Sequence, residues 1–374
     1  MSEKQSAITI QDAKGTLAIV FSEATTAPER IRCSTLASTA FGKSLSAAEY
    51  LEREEYLGNL PLARGAGWRV WSLRSANDPN LVFAMCKTLH RDLLVRDIDG
   101  IISQEQGYCI CSVITDSRYR GRGLASVLLK NVAEWLDGPG NAKASMLYSD
   151  IGDFYVSKGW DVLDAFQSTL TVPPPIPRAR VDGLPKTRLL TRDDLPNLCE
   201  RDVESLKNDF HHSKPAAGTI LVTVLPTSPT ISWLQSRTDF MNAKSHGKVP
   251  ETKGTICESA DAWMYWYHDL RHNKLIVQRA KLPKPQGDTN VDVTRALVEL
   301  LLDTLEEAAK WGLQKVVIWN PSPRLRDPLK HLEKQLEIDI TTEKRESSEI
   351  PCLRWHGGQK LSTTVSPNEF YGWS

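Results

Sequence analysis

Val113, Ile114 and Thr115 close an apolar run that leads into Asp116-Ser117-Arg118-Tyr119-Arg120-Gly121-Arg122-Gly123 and then into the apolar-periodic stretch from Leu124 to Trp135. This is a strand, a basic glycine-bearing turn and a helix in succession. The first N–H groups of a helix have no intrahelical partner and lie at the positive end of its dipole, so such a junction can hold an anion such as a pyrophosphate. Gly121 and Gly123 let anion oxygens approach the main chain, and small Ala125 does the same one turn later. Arg120 and Arg122 add charge. Neither G-x-G-x-x-G nor G-x-x-x-x-G-K-S/T stands here, which excludes the dinucleotide fingerprint and the P-loop. On the two glycines alone, an ordinary strand-to-helix turn with surface arginines is the competing reading.

Other groups capable of chemistry are less well placed. The seven cysteines (Cys33, Cys86, Cys109, Cys111, Cys199, Cys257 and Cys352) are odd in number and lack C-x-x-C spacing, so reduced thiols are expected, not a disulfide framework or a zinc site. Cys109 and Cys111 lie two apart in an apolar run and face the same way on a strand as packing groups. His211-His212 and His268-x-x-x-His272 have no third ligand within reach by sequence, and no metal is expected.

A sheet before the turn and a helix after it must position these groups. Leu17–Phe21 reads as a strand, and Pro28–Phe41 and Ser46–Leu57 as helices. Trp68–Leu73 and Leu81–Met85, separated by Asn77-Asp78-Pro79-Asn80, read as an antiparallel hairpin, with a third strand at Gly107–Thr115. After the helix come a breaker at Gly138-Pro139-Gly140, a strand at Ala144–Tyr148 and a short helix over Asp153–Ser157. The second half repeats part of that order: strands at Trp263–Tyr267 and Leu275–Ala280, a helix at Val293–Trp311, a strand at Gln314–Trp319 and a helix at Pro323–Leu336. An internal structural repeat is expected.

The proline cluster from Pro173 to Pro185 marks a linker. It divides the chain into residues 1–172, a linker at 173–186, and residues 187–374. The 374 residues, 41% hydrophobic and 25% charged, suffice for two folded domains. With 46 Lys plus Arg against 46 Asp plus Glu the net charge is zero, which argues against electrostatic binding of nucleic acid or an anionic membrane. The N-terminal residues show no signal-peptide core, and no window approaches about 18 uninterrupted apolar residues. A cytoplasmic protein is expected.

The R-x-x-G-x-A string over Arg120–Ala125 resembles the Q/R-x-x-G-x-G/A acyl-CoA loop of the GNAT N-acetyltransferase superfamily. Ser149-Asp150-Ile151-Gly152-Asp153-Phe154-Tyr155-Val156-Ser157-Lys158-Gly159-Trp160 resembles the superfamily's second motif, a strand end followed by F-Y-x-x-x-G-F. Ser149 takes the usual Asn position and Trp160 the usual Phe. The resemblance implies an α/β (α+β) fold of the GNAT acyl-CoA N-acyltransferase type, a mixed and mostly antiparallel sheet flanked by helices, with a second, degenerate GNAT-like domain. It implies acetyl-CoA as cosubstrate. The backbone at Val113, Ile114 and Thr115 would meet the pantetheine arm, and Arg120, Gly121, Arg122, Gly123, Leu124 and Ala125 would cradle the pyrophosphate. Tyr155 would be the general acid, giving a proton to the departing thiolate.

An amine attacks only when neutral, so a group must take its proton. Glu105, just before the Gly107 strand, sits near where some superfamily members place a carboxylate; a solvated loop charge is the alternative. Asp150, at a strand end, is the second candidate, with a cap for the helix near Asp153 as its alternative. The second half has prolines after its Leu275–Ala280 strand and no acyl-CoA loop, so it is expected to wall the acceptor site. Trp263, Tyr265 and Tyr267 fall on one strand face and Trp266 and His268 on the other. The aromatic terminus, Phe370-Tyr371-Gly372-Trp373-Ser374, is expected to dock, either in the cleft between halves, with its α-carboxylate contributing to substrate binding, or on the surface.

The whole-chain pattern, including Tyr148-Ser149-Asp150-Ile151-Gly152 and a half without the loop, resembles the fungal lysine N-epsilon-acetyltransferases. The resemblance implies a small-molecule amine acceptor, free L-lysine, in lysine breakdown. Such an acceptor needs an Arg or Lys for its carboxylate and an acid or carbonyls for its amine inside a closed pocket. A protein-lysine acetyltransferase, which needs an open groove, and a non-catalytic acyl-CoA sensor are the rival readings.

Overall fold

A computed structural model describes residues 7–42, 44–173, 175–176, 183–283, 290–357 and 361–373. Its first part contains β1 (Ile8–Asp12), β2 (Gly15–Glu23), α1 (Ala27–Phe41), α2 (Ala47–Gly58), β3 (Trp68–Ser75), β4 (Val82–Arg96) and β5 (Ile102–Thr115). Next come α3 (Leu124–Asp137), β6 (Ala144–Ser149), β7 (Asp161–Val162) and β8 (Phe166–Thr171). Past the proline segment lie β9 (Arg188–Leu190), α4 (Leu195–His212), β10 (Thr219–Val224), α5 (Ser228–His246), β11 (Gly254–Cys257), β12 (Ala262–Asp269) and β13 (Lys274–Lys281). The last elements are α6 (Asn290–Lys310), β14 (Lys315–Trp319), α7 (Arg326–Leu336), β15 (Ile340–Lys344), β16 (Ile350–Trp355) and β17 (Ser362–Val365).

Local chemistry explains several of these boundaries. Thr26 with Glu29, and Ser46 with Glu49, form reciprocal capping boxes that start α1 and α2. The Asn77–Asn80 turn joins β3 to β4 as an antiparallel hairpin. Leu124, Leu128, Val132 and Leu136 recur at helical spacing along α3 and bury that face against the first sheet. The expected helix over Asp153–Ser157 is instead two successive 3₁₀ turns, Gly152–Phe154 and Val156–Lys158. A single turn cannot propagate without further helical residues, and Gly159, at φ 93°, ends it.

Two mixed, mostly antiparallel sheets result. The first runs β1-β2-β3-β4-β5-β6-β16-β7, with β10 paired along the far half of β4 and β17 paired to β10; the second runs β15-β8-β14-β13-β12-β11-β9. β5 and β6 are parallel across α3, and β13 and β14 are parallel across α6, so the order strand-strand-strand-helix-strand occurs twice. That is the expected repeat.

The proline segment does not separate the sheets. β8, which precedes it, lies between β14 and β15 of the second sheet, while β16, near the C-terminus, lies between β6 and β7 of the first. The division at 172 and 187 therefore separates the chain but not the hydrogen-bonded layers. Each sheet obtains an interior strand from the other half, because β6 and β14 each leave one edge free for a donated strand to satisfy.

The strand β12 alternates as expected. Trp263 and Tyr265 pack in the layer between the sheets, and Trp266 turns to the opposite side against α6. His268 Nε2 pairs with Glu307 of α6 at 2.9 Å, and His272 pairs with Asp269 at 2.8 Å. The C-terminal aromatics dock between the halves. Phe370 packs against Trp319 with ring centroids 4.1 Å apart, the Tyr371 hydroxyl donates to the Val224 carbonyl at 2.7 Å, and Arg91 donates to the Trp373 carbonyl at 3.0 Å. Ser374 and its carboxylate lie outside the described residues, as do residues 284–289 after β13.

Candidate active site

The site begins where β5 and β6 part. Their parallel pairing covers only Gly107–Cys109 against Ala144–Met146, after which β5 continues to Thr115 and β6 to Ser149 without pairing to each other. A bulge in β5 opposite Met85 and Lys87, with Ser112 at φ 54°, turns the end of the strand toward this opening. A cavity of about 510 Å³ occupies it, lined by Val113, Ile114, Thr115, Arg120, Gly121, Gly123, Leu124, Ala125 and Tyr155 among others. Ten of the twelve candidate residues are Tyr155 and the loop and strand positions just named plus Arg122; the cavity unites all of these except Arg122.

The turn has the form an anion requires. Gly121 and Gly123 are left-handed, at φ 78° and 72°, and a Cβ built on either would meet nothing within 4 Å. Their main chain thus borders open space. Gly123 is the N-cap of α3 and supplies no side-chain acceptor, which leaves the first amides of the helix facing the cavity uncapped. The Arg120 Nε donates to the Thr115 carbonyl at 3.3 Å and ties the turn to the strand end.

The Arg122 side chain is engaged elsewhere than in the cavity. It is buried and points away from the cavity: its Nε and Nη2 reach the two carboxylate oxygens of Asp12 at 2.6 and 2.9 Å, and it also donates to the Gly15 carbonyl. A buried guanidinium needs a counter-charge, and the β1–β2 hairpin provides one. Its role is to fasten that hairpin to the turn. The Asp12 carboxyl is held below its ordinary range by this hydrogen bond.

Tyr155 is buried, lines the cavity and meets Phe154 edge-on at 5.1 Å. Burial, with Cys86, Cys352 and Asp150 adding to it, pushes its phenol well above the ordinary range. It is protonated at neutral pH and can donate. Ser149 explains why the departure from the usual Asn is tolerated: its hydroxyl accepts from the Ile151 amide at 3.2 Å and donates to the Gly152 carbonyl at 3.3 Å, closing the turn that brings Ile151, Phe154 and Tyr155 to the cavity.

The two carboxylate candidates separate. Asp150 is exposed at the end of β6, beside Ile151, and accepts from the Glu349 amide at 2.7 Å. It caps neither 3₁₀ turn, the first of which has Ile151 at its N-cap. Glu105 is within β5, opposite Leu93, and accepts from Ser103 at 2.8 Å. At about 3.3 Å per residue it stands roughly 30 Å along the strand from Thr115, so it is a strand residue remote from the cavity and not a loop charge beside it. Glu105→Gln is expected to leave kcat/KM within about twofold of the parent, measured by thiol release from acetyl-CoA. Ala40 of α1, Tyr119 and Ser126 also line the cavity. Tyr119 and Ser126 directly flank the Arg120–Ala125 loop and were within reach of the motif, whereas nothing in the spacing of α1 marks Ala40.

Comparison with known proteins agrees with this arrangement. The family described as "LYC1 GNAT-like C-terminal domain" matches residues 171–374, and the "Acetyltransferase (GNAT) family" matches residues 83–153. A protein named "Lysine acetyltransferase" from Yarrowia lipolytica is 26% identical over 339 residues, which are 79% of this chain and 83% of that protein. Among solved structures, a GCN5-related N-acetyltransferase from Kribbella flavida superposes with a TM-score of 0.55 at 16% identity, over 90% of this chain and 72% of the other. Eis1 from Mycobacterium abscessus superposes with a TM-score of 0.52 at 15% identity, over 90% and 73%. At these identities the structures establish the fold.

Proposed function

The chain belongs to the GNAT N-acetyltransferases that carry the LYC1-type C-terminal domain, and from that premise we propose that it moves the acetyl group of acetyl-CoA to the side-chain amine of free L-lysine. The observation that carries the chemistry is the single cavity shared by the uncapped start of α3, the two left-handed glycines and Tyr155. Diphosphate oxygens fit the glycine turn because no side chain stands there, and the end of β5 offers main-chain groups to the arm that follows. Acetyl-CoA supplies the activated acyl group; the protein's share is positioning and proton movement. Tyr155 gives its phenolic proton to the departing sulfur as the amine attacks the thioester carbonyl. Asp150, at the strand end beside the cavity, takes the proton that the amine loses.

The relative from Yarrowia lipolytica is named for lysine, which fits a free amino acid and a protein side chain alike. One feature supports the free amino acid. The aromatic terminus docks between the halves with Phe370 and Tyr371 buried, which leaves a peptide less room than an open groove would. A lysine-degrading role in the cytoplasm accords with this acceptor. The test is thiol release from acetyl-CoA with free lysine, ornithine, polyamines, glucosamine and a histone-tail peptide. Turnover with lysine and none with the peptide is expected. Peptide turnover in place of lysine would make the second half a protein-docking module, and acetyl-CoA binding without turnover of any amine would make the protein a sensor.

A further inference from the structure

A second cavity, of about 230 Å³, is lined by groups from six separate stretches of chain: Phe41, Arg53, Arg237, Tyr267, Glu349 and Trp373 are one from each. Neighbouring residues link the two spaces. Ala40 lines one and Phe41 the other, and Asp150, whose neighbour Ile151 borders the acetyl-CoA cavity, holds the amide of Glu349, which borders the second.

Cationic groups outnumber anionic ones in this cavity, with Arg53, Arg237, Arg271 and Lys274 against Asp269 and Glu349. Arg53 is paired with Glu54 at 2.7 Å, and Asp269 with His272 at 2.8 Å. Arg237 makes no hydrogen bond or ion pair among the described residues; it lies over the Trp373 ring, 4.9 Å from its centroid. Burial, with the like charge of Arg53 adding to it, pulls its pKa below the ordinary guanidinium range. The Glu349 carboxylate likewise has no hydrogen-bond donor among the described residues; burial pushes its pKa up against the opposing charges of Lys274, which lines the same cavity, and Arg345. A half-buried guanidinium and a half-buried carboxylate, each without a hydrogen-bonded partner among the described residues, face one small space. Desolvated charges of this kind are costly unless a ligand completes them.

We propose that this cavity is the acceptor site and takes a free α-amino acid bearing a side-chain amine, with its α-carboxylate on Arg237 and its reacting amine held at Glu349. The proposal rests on the free-lysine reading above and adds the residues that recognise that substrate. The volume agrees: it is below the roughly 300–1,000 Å³ of pockets for drug-sized ligands, so it admits an amino acid and not a peptide. A planar guanidinium receives a carboxylate through two parallel N–H donors, which distinguishes an amino acid from a simple amine of the same length. Glu349 is the positioning residue at the amine end, nearest Asp150 and the acetyl-CoA cavity.

Lysine and 1,5-diaminopentane, which differ only by the carboxylate, separate the two roles. Steady-state kinetics of the full-length protein with both amines, at saturating acetyl-CoA, are compared for the parent, Arg237→Ala and Glu349→Gln. Arg237→Ala is expected to raise KM for lysine about 30-fold or more while leaving the diamine constants and the KM for acetyl-CoA within about twofold. Glu349→Gln is expected to raise KM for both amines about tenfold, since both carry the amine. If Arg237→Ala alters neither amine, or both equally, the carboxylate assignment fails; if Glu349→Gln alters neither, the amine assignment fails. Both results are obtained with a parent enzyme that turns over lysine. A parent that ignores every free amino acid and acetylates the peptide overturns the acceptor reading itself, so the two failures are distinguishable.

Discussion

Tyr155→Phe is expected to lower kcat about 100- to 1,000-fold while leaving the affinity for acetyl-CoA within about twofold. The substitution removes one oxygen from a ring that otherwise stays in the core with Trp160 and Cys352. Its hydroxyl has no hydrogen-bond partner among the described residues, so the fold loses nothing it was using. The departing thiolate loses its proton donor, and the loss falls on the chemical step and not on binding. Isothermal titration with acetyl-CoA and thiol-release kinetics on the same preparation check both halves. An unchanged kcat would transfer the acid role to another group, and a parallel loss of acetyl-CoA binding would make Tyr155 a wall of the cavity. Because burial holds the phenol protonated, the acid limb of catalysis is expected to persist well above neutral pH; a folded-state pKa raised above the ordinary phenol value means the proton is lost only at higher pH.

Asp202→Ala is expected to destabilise the protein by about 3 kcal/mol or more, the largest stability loss among single substitutions outside the apolar core. Asp202 of α4 is fully buried and accepts from Arg279 of β13 at 2.9 and 2.8 Å. Glu369, just before the aromatic terminus, meets the same guanidinium at 3.1 Å and also accepts from the Ala280 amide at 3.1 Å. One buried cation thus joins a helix, a strand of the second sheet and the C-terminal segment. Removing Asp202 leaves that cation with a single carboxylate and an unfilled space, whereas Asp202→Leu combined with Arg279→Met and Glu369→Gln removes all three charges and is expected to recover most of the loss. Urea-unfolding midpoints for the three proteins measure this; a triple variant no better than Asp202→Ala would locate the cost in packing and not in the stranded charge. Looser docking of the terminus also frees Trp373 from Arg237, so Asp202→Ala is expected to weaken lysine binding more than acetyl-CoA binding.

The loop and the elements around it were legible because their determinants are local. A strand end, two glycines that must be left-handed and an apolar-periodic helix lie within one continuous segment, and backbone sterics and helix electrostatics assign that segment a single use. The same holds for the turn that presents Tyr155. Helix α5 was not legible for the opposite reason. Its buried face carries Thr230, Gln235, Ser236, Asp239 and Asn242, of which Gln235, Asp239 and Asn242 find partners in other elements, and these polar residues show no apolar stripe. Glu105 was misplaced because β5 extends through polar residues past the apolar run that marks its core, a length set by pairing with β4 and not by its own composition.

By its residues alone the chain determined an acyl-CoA turn, a phenol beside it, two halves of related order and the absence of a second loop motif, all from contacts a few residues apart. Tertiary structure decided the rest. Arg122 took Asp12, 110 positions away, as its counter-charge. β8 and β16 crossed to the opposite sheets, an exchange that leaves the alternation of each strand unaltered and so leaves no mark in the sequence. Arg237, Glu349 and Trp373 converge on one small cavity only because the two sheets are fastened face to face, and the charge imbalance that makes it a binding site exists in no single segment. Local backbone preference acts over one turn or strand, whereas compensation of buried charge and completion of a sheet edge are settled by whatever the fold brings within hydrogen-bonding distance.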